Sequence, residues 1–356
     1  MKKQNMFLQT IFMTVIISIV FAMLPLSAIS QTNDWVKGNP EKEGMRLKAL
    51  KKLDSYITNN FYTVTSLLII KNNKLIYEKY YGPNNLDTQV PIHCVTKSFM
   101  GTLIGIALDK KIIKNLDIKM SDIFPDYCAK DIEPYKKDLT LKDILSMNVN
   151  LEWKDDWENR SGIAFKWSAS EDKIQFFFDL PMAKNNDKRG NYNTAGSHML
   201  SAILTRSAGM DTLTFAKQYL FEPLGIKNYY WVKSQEYYNG GNGLNLTPRE
   251  IAKLGLLYLN NGVWKGKQIV SSEWVKEATK PFTLHTKDKA HYGYQWWVIP
   301  VNQYESYRAW GAFGQYCVVI PAVKMVIVVT SRMPSGWILG TPYNFPLIEE
   351  VVKAVK

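Results

Sequence analysis

The sequence predicts an α/β fold of the α+β type, in which helices flank one antiparallel sheet built from both ends of the chain. Two observations lead to this prediction. Runs rich in β-branched and aromatic residues lie over 63–81 and again after residue 292. The long section between them, roughly 111–290, carries mainly helical periodicity. We therefore expect a helical lobe inserted in a sheet lobe.

The first thirty residues have the composition of a secretory signal peptide. Two lysines precede an apolar run over 7–26, and Ala28 and Ser30 occupy the two positions that a signal peptidase reads. Because the run is almost long enough to span a bilayer, an uncleaved membrane anchor is the alternative. Polar residues within the run and the cleavage-like tripeptide behind it favour cleavage near Ser30. We expect an exported protein, periplasmic or secreted, with its folded part over 31–356.

The charge distribution argues against nucleic-acid binding. Residues 1–30 hold two lysines and no acidic residue, so their removal lowers the formal charge from +12 to +10. The other basic residues lie singly or in pairs, whereas nucleic-acid-binding proteins concentrate theirs on one face or tail. A basic, aromatic-rich surface instead favours the anionic cell envelope or carbohydrate as a partner. The sequence does not indicate an oligomeric state.

Cysteine and histidine usage predicts neither a disulfide framework nor a metal site. Three cysteines, Cys94, Cys128 and Cys317, allow at most one disulfide, and a bond between the last two stays open. The spacing of the four histidines matches no metal motif, so we expect no metal and no other cofactor. His198 lies in an apolar helical pattern and is expected in the core.

The N-terminal third is predicted to alternate helix and strand. Spaced apolar residues predict an amphipathic helix over 47–59. The β-rich runs 63–70 and 74–81 are joined at an Asn-Asn pair. Because asparagine tolerates the positive φ of a tight turn, these runs are predicted to form a hairpin. A helical pattern with one apolar face follows over 95–110.

The remaining elements follow from turn signals and periodicity. The strongest helical pattern, over 247–262, starts with Thr-Pro and stops at Asn-Gly. The glycine-rich stretch 240–243 lacks the lysine and the preceding strand of a phosphate loop, so we interpret it as a surface turn. Strand-like sequence returns in YGYQWWVIP, YCVVIP and MVIVVTSR, and a final helix is predicted over 346–355.

The segment with the clearest chemical potential opens the helix over 95–110. Cys94 and Lys97 are three residues apart, so in a helix their side chains share a face. A neutral lysine can take a proton from a nucleophile, and a charged one can stabilise a thiolate, as can a helix N-terminus. On this tetrapeptide alone, a buried structural cysteine is the simpler interpretation.

The surrounding sequence changes that interpretation. The stretch VTKSFMGTLIGIALDKKIIKNLDIKMSDIFPDY resembles the helix with the Ser-x-x-Lys motif in the serine β-lactamase and penicillin-binding superfamily. The resemblance is to its group of class C β-lactamases, esterases and 6-aminohexanoate-dimer hydrolases. It continues in the family's order through NYNTAGSHMLSAIL and GLNLTPREIAKLGLLYLNNG to GAFGQYCVVIPAVKMVIVVTSR. It covers most of the chain after residue 64 and implies the β-lactamase/transpeptidase fold.

The resemblance also implies a set of catalytic residues. Cys94 stands where the family has its nucleophilic serine, and Lys97 is the motif lysine. Tyr192 matches the tyrosine of the second motif, which exchanges protons with nucleophile and leaving group; a core aromatic is the alternative interpretation. Thr194 replaces the usual asparagine or serine of that motif and keeps a hydroxyl that can bind substrate.

The third motif of the family falls at 312–314. Ala312 replaces its polar first residue, which disfavours recognition of a carboxylate of the penicillin type. Gly314 is retained and would let a substrate lie close to the strand backbone. The resemblance further implies an oxyanion hole formed by the backbone amides of Cys94 and Gln315.

Cysteine at the nucleophile position leaves three functions open. Cys94 can form a thioester as a working nucleophile, it can be redox-sensitive or slowly reacting, or the protein can bind acyl or peptide ligands without turnover. Because Lys97 and Tyr192 are retained, we expect a hydrolase that acts on a small-molecule or peptide ester or amide through an acyl-enzyme. A ligand-binding protein is the main alternative. A cell-wall transpeptidase or carboxypeptidase is a third, which Ala312 disfavours.

Overall fold

A computed structural model describes residues 35–128, 133–157, 159–183, 191–285, 290–333 and 344–356. The signal peptide predicted over residues 1–30 lies outside these ranges. The chain divides into two units, Met1–Val36 and Lys37–Lys356, and every element named below belongs to the second. Across the described ranges, no helix has the length and apolar character needed to cross a membrane.

The helices and strands have the following bounds. The helices are α1 (Leu47–Asn60), α2 (Thr96–Asp109), α3 (Met120–Ile123), α4 (Pro125–Cys128), α5 (Pro134–Asp138), α6 (Leu141–Leu145), α7 (Ile163–Ala169), α8 (Lys173–Asp179), α9 (Thr194–Ala208), α10 (Thr212–Ala216), α11 (Glu222–Leu224), α12 (Pro248–Leu259), α13 (Ser272–Ala278) and α14 (Phe345–Lys353). The strands are β1 (Val64–Lys71), β2 (Lys74–Tyr80), β3 (Val90–Pro91), β4 (Tyr229–Trp231), β5 (Lys233–Ser234), β6 (Tyr237–Tyr238), β7 (Leu244–Leu246), β8 (Val263–Trp264), β9 (Lys267–Gln268), β10 (Thr283–His285), β11 (Ala290–Tyr292), β12 (Trp297–Val298), β13 (Tyr307–Gly311), β14 (Gln315–Ile320) and β15 (Met325–Ser331).

The main sheet unites the two ends of the chain, as the sequence predicted. Its eight strands run in the order β10-β11-β12-β13-β14-β15-β1-β2, and each neighbouring pair is antiparallel. The hairpin β1–β2 turns at Asn72 and Asn73, whose φ angles of 51° and 63° are the positive values expected there. The predicted fold class is therefore confirmed.

Helices cover both faces of this sheet. On one face, Leu50, Leu53 and Ile57 of α1 join residues of α14 in a core cluster with alternate residues of β1, β14 and β15. On the other face α12 packs so closely that a Cβ atom on Gly255 would lie 2.7 Å from the Cys317 sulfur. The two helix layers leave β1 buried along its whole length.

Helix α12 starts as its sequence predicts. The Thr247 hydroxyl accepts a hydrogen bond from the Glu250 amide, the Glu250 carboxylate accepts from the Thr247 amide, and Pro248 occupies the first turn. This capping box satisfies backbone donors that the helix itself leaves unpaired.

A second sheet has three strands in the order β3-β7-β4, and it determines the position of the glycine-rich stretch 240–243. Its strand β7 begins directly after the glycine-rich stretch 240–243 and pairs with β3, which precedes Cys94. Gly240, Gly241 and Gly243 are buried, so the interpretation of this stretch as a surface turn is wrong. The physical reason is the pairing of β7 with β3, which draws the turn against α2 and α9.

Two of the three cysteines, Cys128 and Cys317, are buried, and so is His198. All three cysteines are free, so Cys128 and Cys317 are not joined. Burial raises the pKa of the Cys317 thiol to about 12. His198 is buried against Trp167, as predicted. Among the described residues, no group of three histidine, cysteine or carboxylate side chains is arranged to hold a metal ion.

Candidate active site

Cys94 lies in a short 3₁₀ turn, His93–Val95, that leads from β3 into α2. The turn is held from the side by β7. The Ile92 amide donates to the Leu244 carbonyl at 3.0 Å, and the Leu244 amide donates to the Thr96 hydroxyl at 3.1 Å. Cys94 itself stays partly exposed. The candidate nucleophile thus stands at the opening of a buried helix, on a turn held by hydrogen bonds at both ends.

Strand β13 lies directly against this turn because Gly311 has no side chain. A Cβ atom on Gly311 would overlap the Ile92 carbonyl oxygen and lie 3.2 Å from the Cys94 amide nitrogen. Both neighbours are backbone atoms of the turn, which cannot move aside by changing a rotamer. Gly311 therefore sets the distance between the end of β13 and the Cys94 backbone.

Substitution Gly311→Ala is expected to destabilise the protein by about 1–3 kcal/mol, because the methyl group overpacks a backbone contact. Chemical denaturation monitored by circular dichroism measures this change. Gly196→Ala is the matched control, since a Cβ atom there would lie 3.6 Å or more from other side chains. Equal stability of the two variants would show that Gly311 is not required for the close approach.

Lys97 lies in the first turn of α2 and is only 1% exposed. Its amine donates hydrogen bonds to the Thr194 hydroxyl at 3.0 Å and to the Gly241 carbonyl at 2.8 Å. The amine also lies 4.9 Å from the centre of the Tyr192 ring. The structure thus brings three of the sequence-predicted residues together: Lys97, Thr194 and Tyr192.

Two features of the backbone place the acceptors for Lys97. Helix α9 starts at Thr194 because the Asn193 side chain caps it, accepting from the Gly196 amide at 2.8 Å. The 240–243 turn lies against this helix start, and a Cβ atom on Gly241 would be 2.6 Å from the Thr194 methyl carbon. Glycine at 241 therefore lets a main-chain carbonyl reach the lysine.

Tyr192 lies next to the candidate nucleophile, close enough for Cys94 to raise the pKa of the Tyr192 hydroxyl. Burial raises the pKa of Tyr192 well above its usual 10, and the nearby Cys94, Tyr292 and Asp155 raise it further. Tyr192 is therefore a phenol, and hence a proton donor, at neutral pH.

Asp155 is a site residue that sequence reasoning missed. Its carboxylate accepts from the Thr194 hydroxyl at 2.7 Å and from the Trp153 indole at 2.7 Å. Burial raises the pKa of Asp155, and the charge of Lys97 partly opposes that rise. In the sequence, Asp155 is followed by a second aspartate and preceded by a lysine, a pattern typical of a solvated loop.

An aromatic wall adjoins Tyr192 and was also not assigned from sequence. Tyr192 stacks on Trp297, with ring centres 5.2 Å apart, and meets Tyr292 edge-on at 5.8 Å. Trp297 in turn contacts Trp310 at 5.4 Å. Trp297 and Trp310 keep partial exposure, whereas Trp296 is fully buried. This wall gives the site an apolar surface.

The residues of the third motif, unlike Lys97, Thr194 and Tyr192, have described contacts mainly with the end of β15 and with Asn344. Gly314 has a φ of 86° and lies beside Asn344 and Ser331. The Gln315 side chain is bonded to the Ser331 backbone, and its residue pairs with Gly311 in the sheet. The described contacts therefore connect Gln315 to Cys94 through Gly311, and the roles of Gly314 and of the Gln315 amide stay predictions.

The sequence of the chain is similar to those of known hydrolases. The sequence profile of the β-lactamase family matches residues 62–337. The chain is 21% identical to a 6-aminohexanoate-dimer hydrolase of Paenarthrobacter ureafaciens, over 88% of this chain and 83% of the relative.

Two solved structures share the fold. One is EstCE1, described as a hydrolase with promiscuous acyltransferase activity, with a TM-score of 0.71, 14% identity, and coverage of 87% of this chain and 98% of that one. The other is a penicillin-binding protein from Bacillus halodurans, with a TM-score of 0.65, 15% identity, and coverage of 85% and 98%. From the family match and this common fold, we conclude that the chain belongs to the β-lactamase family of hydrolases.

Proposed function

We propose that this hydrolase opens an ester or unstrained amide bond through a covalent thioester on Cys94. One observation carries the proposal. Cys94 lies next to a buried phenol, Tyr192, whose pKa it raises, and that phenol lies beside the buried amine of Lys97. A nucleophile, a proton acceptor and a proton donor therefore meet at one point, which is the arrangement that nucleophilic catalysis requires.

In the proposed reaction the Cys94 sulfur attacks the carbonyl carbon while its proton passes to Lys97. The oxygen of the tetrahedral intermediate would be stabilised by backbone amides, for which we propose those of Cys94 and Gln315. When the carbon–heteroatom bond breaks, the leaving group takes its proton from Tyr192, and Lys97 returns a proton to Tyr192. Water then hydrolyses the thioester and regenerates the thiol.

We infer the substrate class from the residues that are proposed to line the site. Ala312 offers no charge to a substrate carboxylate, so we propose that penicillins and peptides ending in a free carboxylate are poor substrates. Thr194 and Gly314 are proposed to contact the substrate, and the wall containing Trp297 favours an apolar group. The relative named a 6-aminohexanoate-dimer hydrolase and the acyl-transferring EstCE1 support acyl chemistry on small ester or amide substrates.

We further propose that the protein is exported and works in the periplasm or outside the cell. The support is the apolar run over 7–26, which two lysines precede and which small residues follow at Ala28 and Ser30, the two positions read by signal peptidase. N-terminal sequencing of the protein from a fractionated host is the test. A mature N-terminus just after Ser30 is expected, and an intact N-terminus in the membrane fraction would indicate an anchor instead.

The experiment that tests the chemistry is trapping of the acyl group. We expect incubation with p-nitrophenyl butyrate to add the mass of one butyryl group, mapped by peptide analysis to Cys94. Cys128→Ala is the control, because that buried cysteine should not affect the adduct. Ligand binding without any adduct or product would contradict the proposal and support a non-catalytic binding protein.

Substitution Tyr192→Phe separates the role of the phenol from that of the nucleophile. We expect a loss of about 100-fold with ethyl esters, whose leaving group needs a proton, and less than about tenfold with p-nitrophenyl esters, whose leaving group does not. Because the pKa of Tyr192 lies well above 10, this difference should hold from pH 6 to 9. Steady-state rates on paired esters of one acid measure it. An equal loss on both would argue against proton donation by Tyr192.

A further inference from the structure

The hydrogen bonds around Thr194 have a fixed direction. The Thr194 hydroxyl has a single proton, which it donates to the Asp155 carboxylate at 2.7 Å. In this contact Thr194 is the donor and the Asp155 carboxylate the acceptor, which is the only direction open to an ionised carboxylate. Towards Lys97, at 3.0 Å, Thr194 is then left with lone pairs alone and must be the acceptor. Asp155 thus determines which way the bond between Thr194 and Lys97 points.

Asp155 is itself held in place. Its second carboxylate oxygen accepts from the Trp153 indole at 2.7 Å, so both oxygens are engaged by neutral donors. The carboxylate thus makes no direct ion pair with Lys97 in the described contacts, and it acts on the amine across one hydroxyl. Its charge also acts on two buried phenols, Tyr192 and Tyr292, and raises the pKa of both.

We propose that Asp155 is a positioning residue for Lys97. By holding the proton of Thr194, Asp155 makes that hydroxyl an obligatory acceptor. Together with the Gly241 carbonyl at 2.8 Å, Thr194 then fixes two of the bonds of the amine. The remaining position of the amine nitrogen is thereby directed towards Tyr192 and Cys94. The inference rests on the proposed function of Cys94 as nucleophile and adds a residue outside the three sequence motifs.

The test is a double-substitution cycle on the rate of Cys94 acylation by p-nitrophenyl acetate, measured with the full chain. Asp155→Asn and Thr194→Val are each expected to lower the rate about tenfold. If the two residues act in series, the double variant should be no slower than the slower single variant. Thr194→Ser keeps the hydroxyl and is expected to retain the wild-type rate. The comparison of Thr194→Ser with Thr194→Val therefore still tests the inference if Asp155→Asn fails to fold. Asp156→Asn is the matched control, because that carboxylate lies near Lys154 instead, at 3.8 Å.

Each outcome has a distinct meaning. A wild-type rate in Asp155→Asn, or a hundredfold loss in the double variant from two independent tenfold losses, would overturn the inference while leaving Cys94 as nucleophile. A rate in Thr194→Ser as low as in Thr194→Val would overturn it as well. If the wild-type protein is not acylated at Cys94, the proposed function itself fails, and the inference fails with it.

Discussion

Substitution Cys94→Ala is expected to lower turnover of short-chain p-nitrophenyl esters by about 1,000-fold or more, because no other group can form the acyl bond. The side chain is partly exposed and lies on a turn fixed by backbone hydrogen bonds, so the variant should fold normally. Initial rates of p-nitrophenol release measure the effect, with intact mass to follow the adduct. Cys128→Ala should keep the wild-type rate.

The serine variant shows which nucleophile the site accepts. Cys94→Ser restores the residue type that the family's motif carries, while Lys97 and Tyr192 stay in place. Sulfur is larger than oxygen and reacts as a thiolate, so acylation and hydrolysis need not change in proportion. A wild-type protein that is inert beside an active serine variant would contradict our proposal. The protein would then be a ligand-binding member of its family.

Substitution Lys97→Met is expected to reduce the rate of Cys94 acylation by about 100- to 10,000-fold, the range for loss of a general acid–base group. Methionine retains much of the apolar stem but leaves the Gly241 carbonyl and the Thr194 hydroxyl without their donor. We expect a loss of stability of about 1–3 kcal/mol as well. Single-turnover acylation with p-nitrophenyl acetate and chemical denaturation separate the two effects.

The control for this variant is another buried lysine that bonds a backbone carbonyl. Lys136 donates to the Phe178 carbonyl at 2.8 Å, outside the candidate site. Lys136→Met should cost comparable stability but leave the acylation rate unchanged. A similar loss of rate in both variants would mean that Lys97 acts through stability alone.

The elements that could be predicted from sequence carry their signals locally. Two asparagines at the turn specify the β1–β2 hairpin, and the capping residues Thr247 and Glu250 mark the start of α12. Strand β13 was not predicted, and its second residue is the charged Arg308. That guanidinium is buried only because it donates to the Ile299 carbonyl and lies 4.1 Å from the centre of the Phe345 ring, which no local pattern shows.

Some residues of the candidate site could likewise be predicted from sequence, and others could not. Cys94, Lys97 and Tyr192 could be identified because they lie in motifs that resemble those of a family. Asp155 and the Gly241 carbonyl could not, since each joins the site through a tertiary contact with a residue 39 or more positions away. A backbone carbonyl also leaves no trace in residue identity, so Gly241 appeared only as part of a turn.

The position of β1 between β2 and β15 has a consequence for how the molecule forms. Val64 pairs with Ser331 and Lys71 with Met325, so this pair of strands closes a loop that contains every proposed catalytic residue. The entropy cost of such a long closure rises only slowly with length, but contacts this distant form late and slow the folding reaction. Until β15 is available, the early hairpin presents an open edge that can pair with other chains. A chain that ends before Met325 keeps every proposed catalytic residue and lacks the strand that joins the two halves of their scaffold.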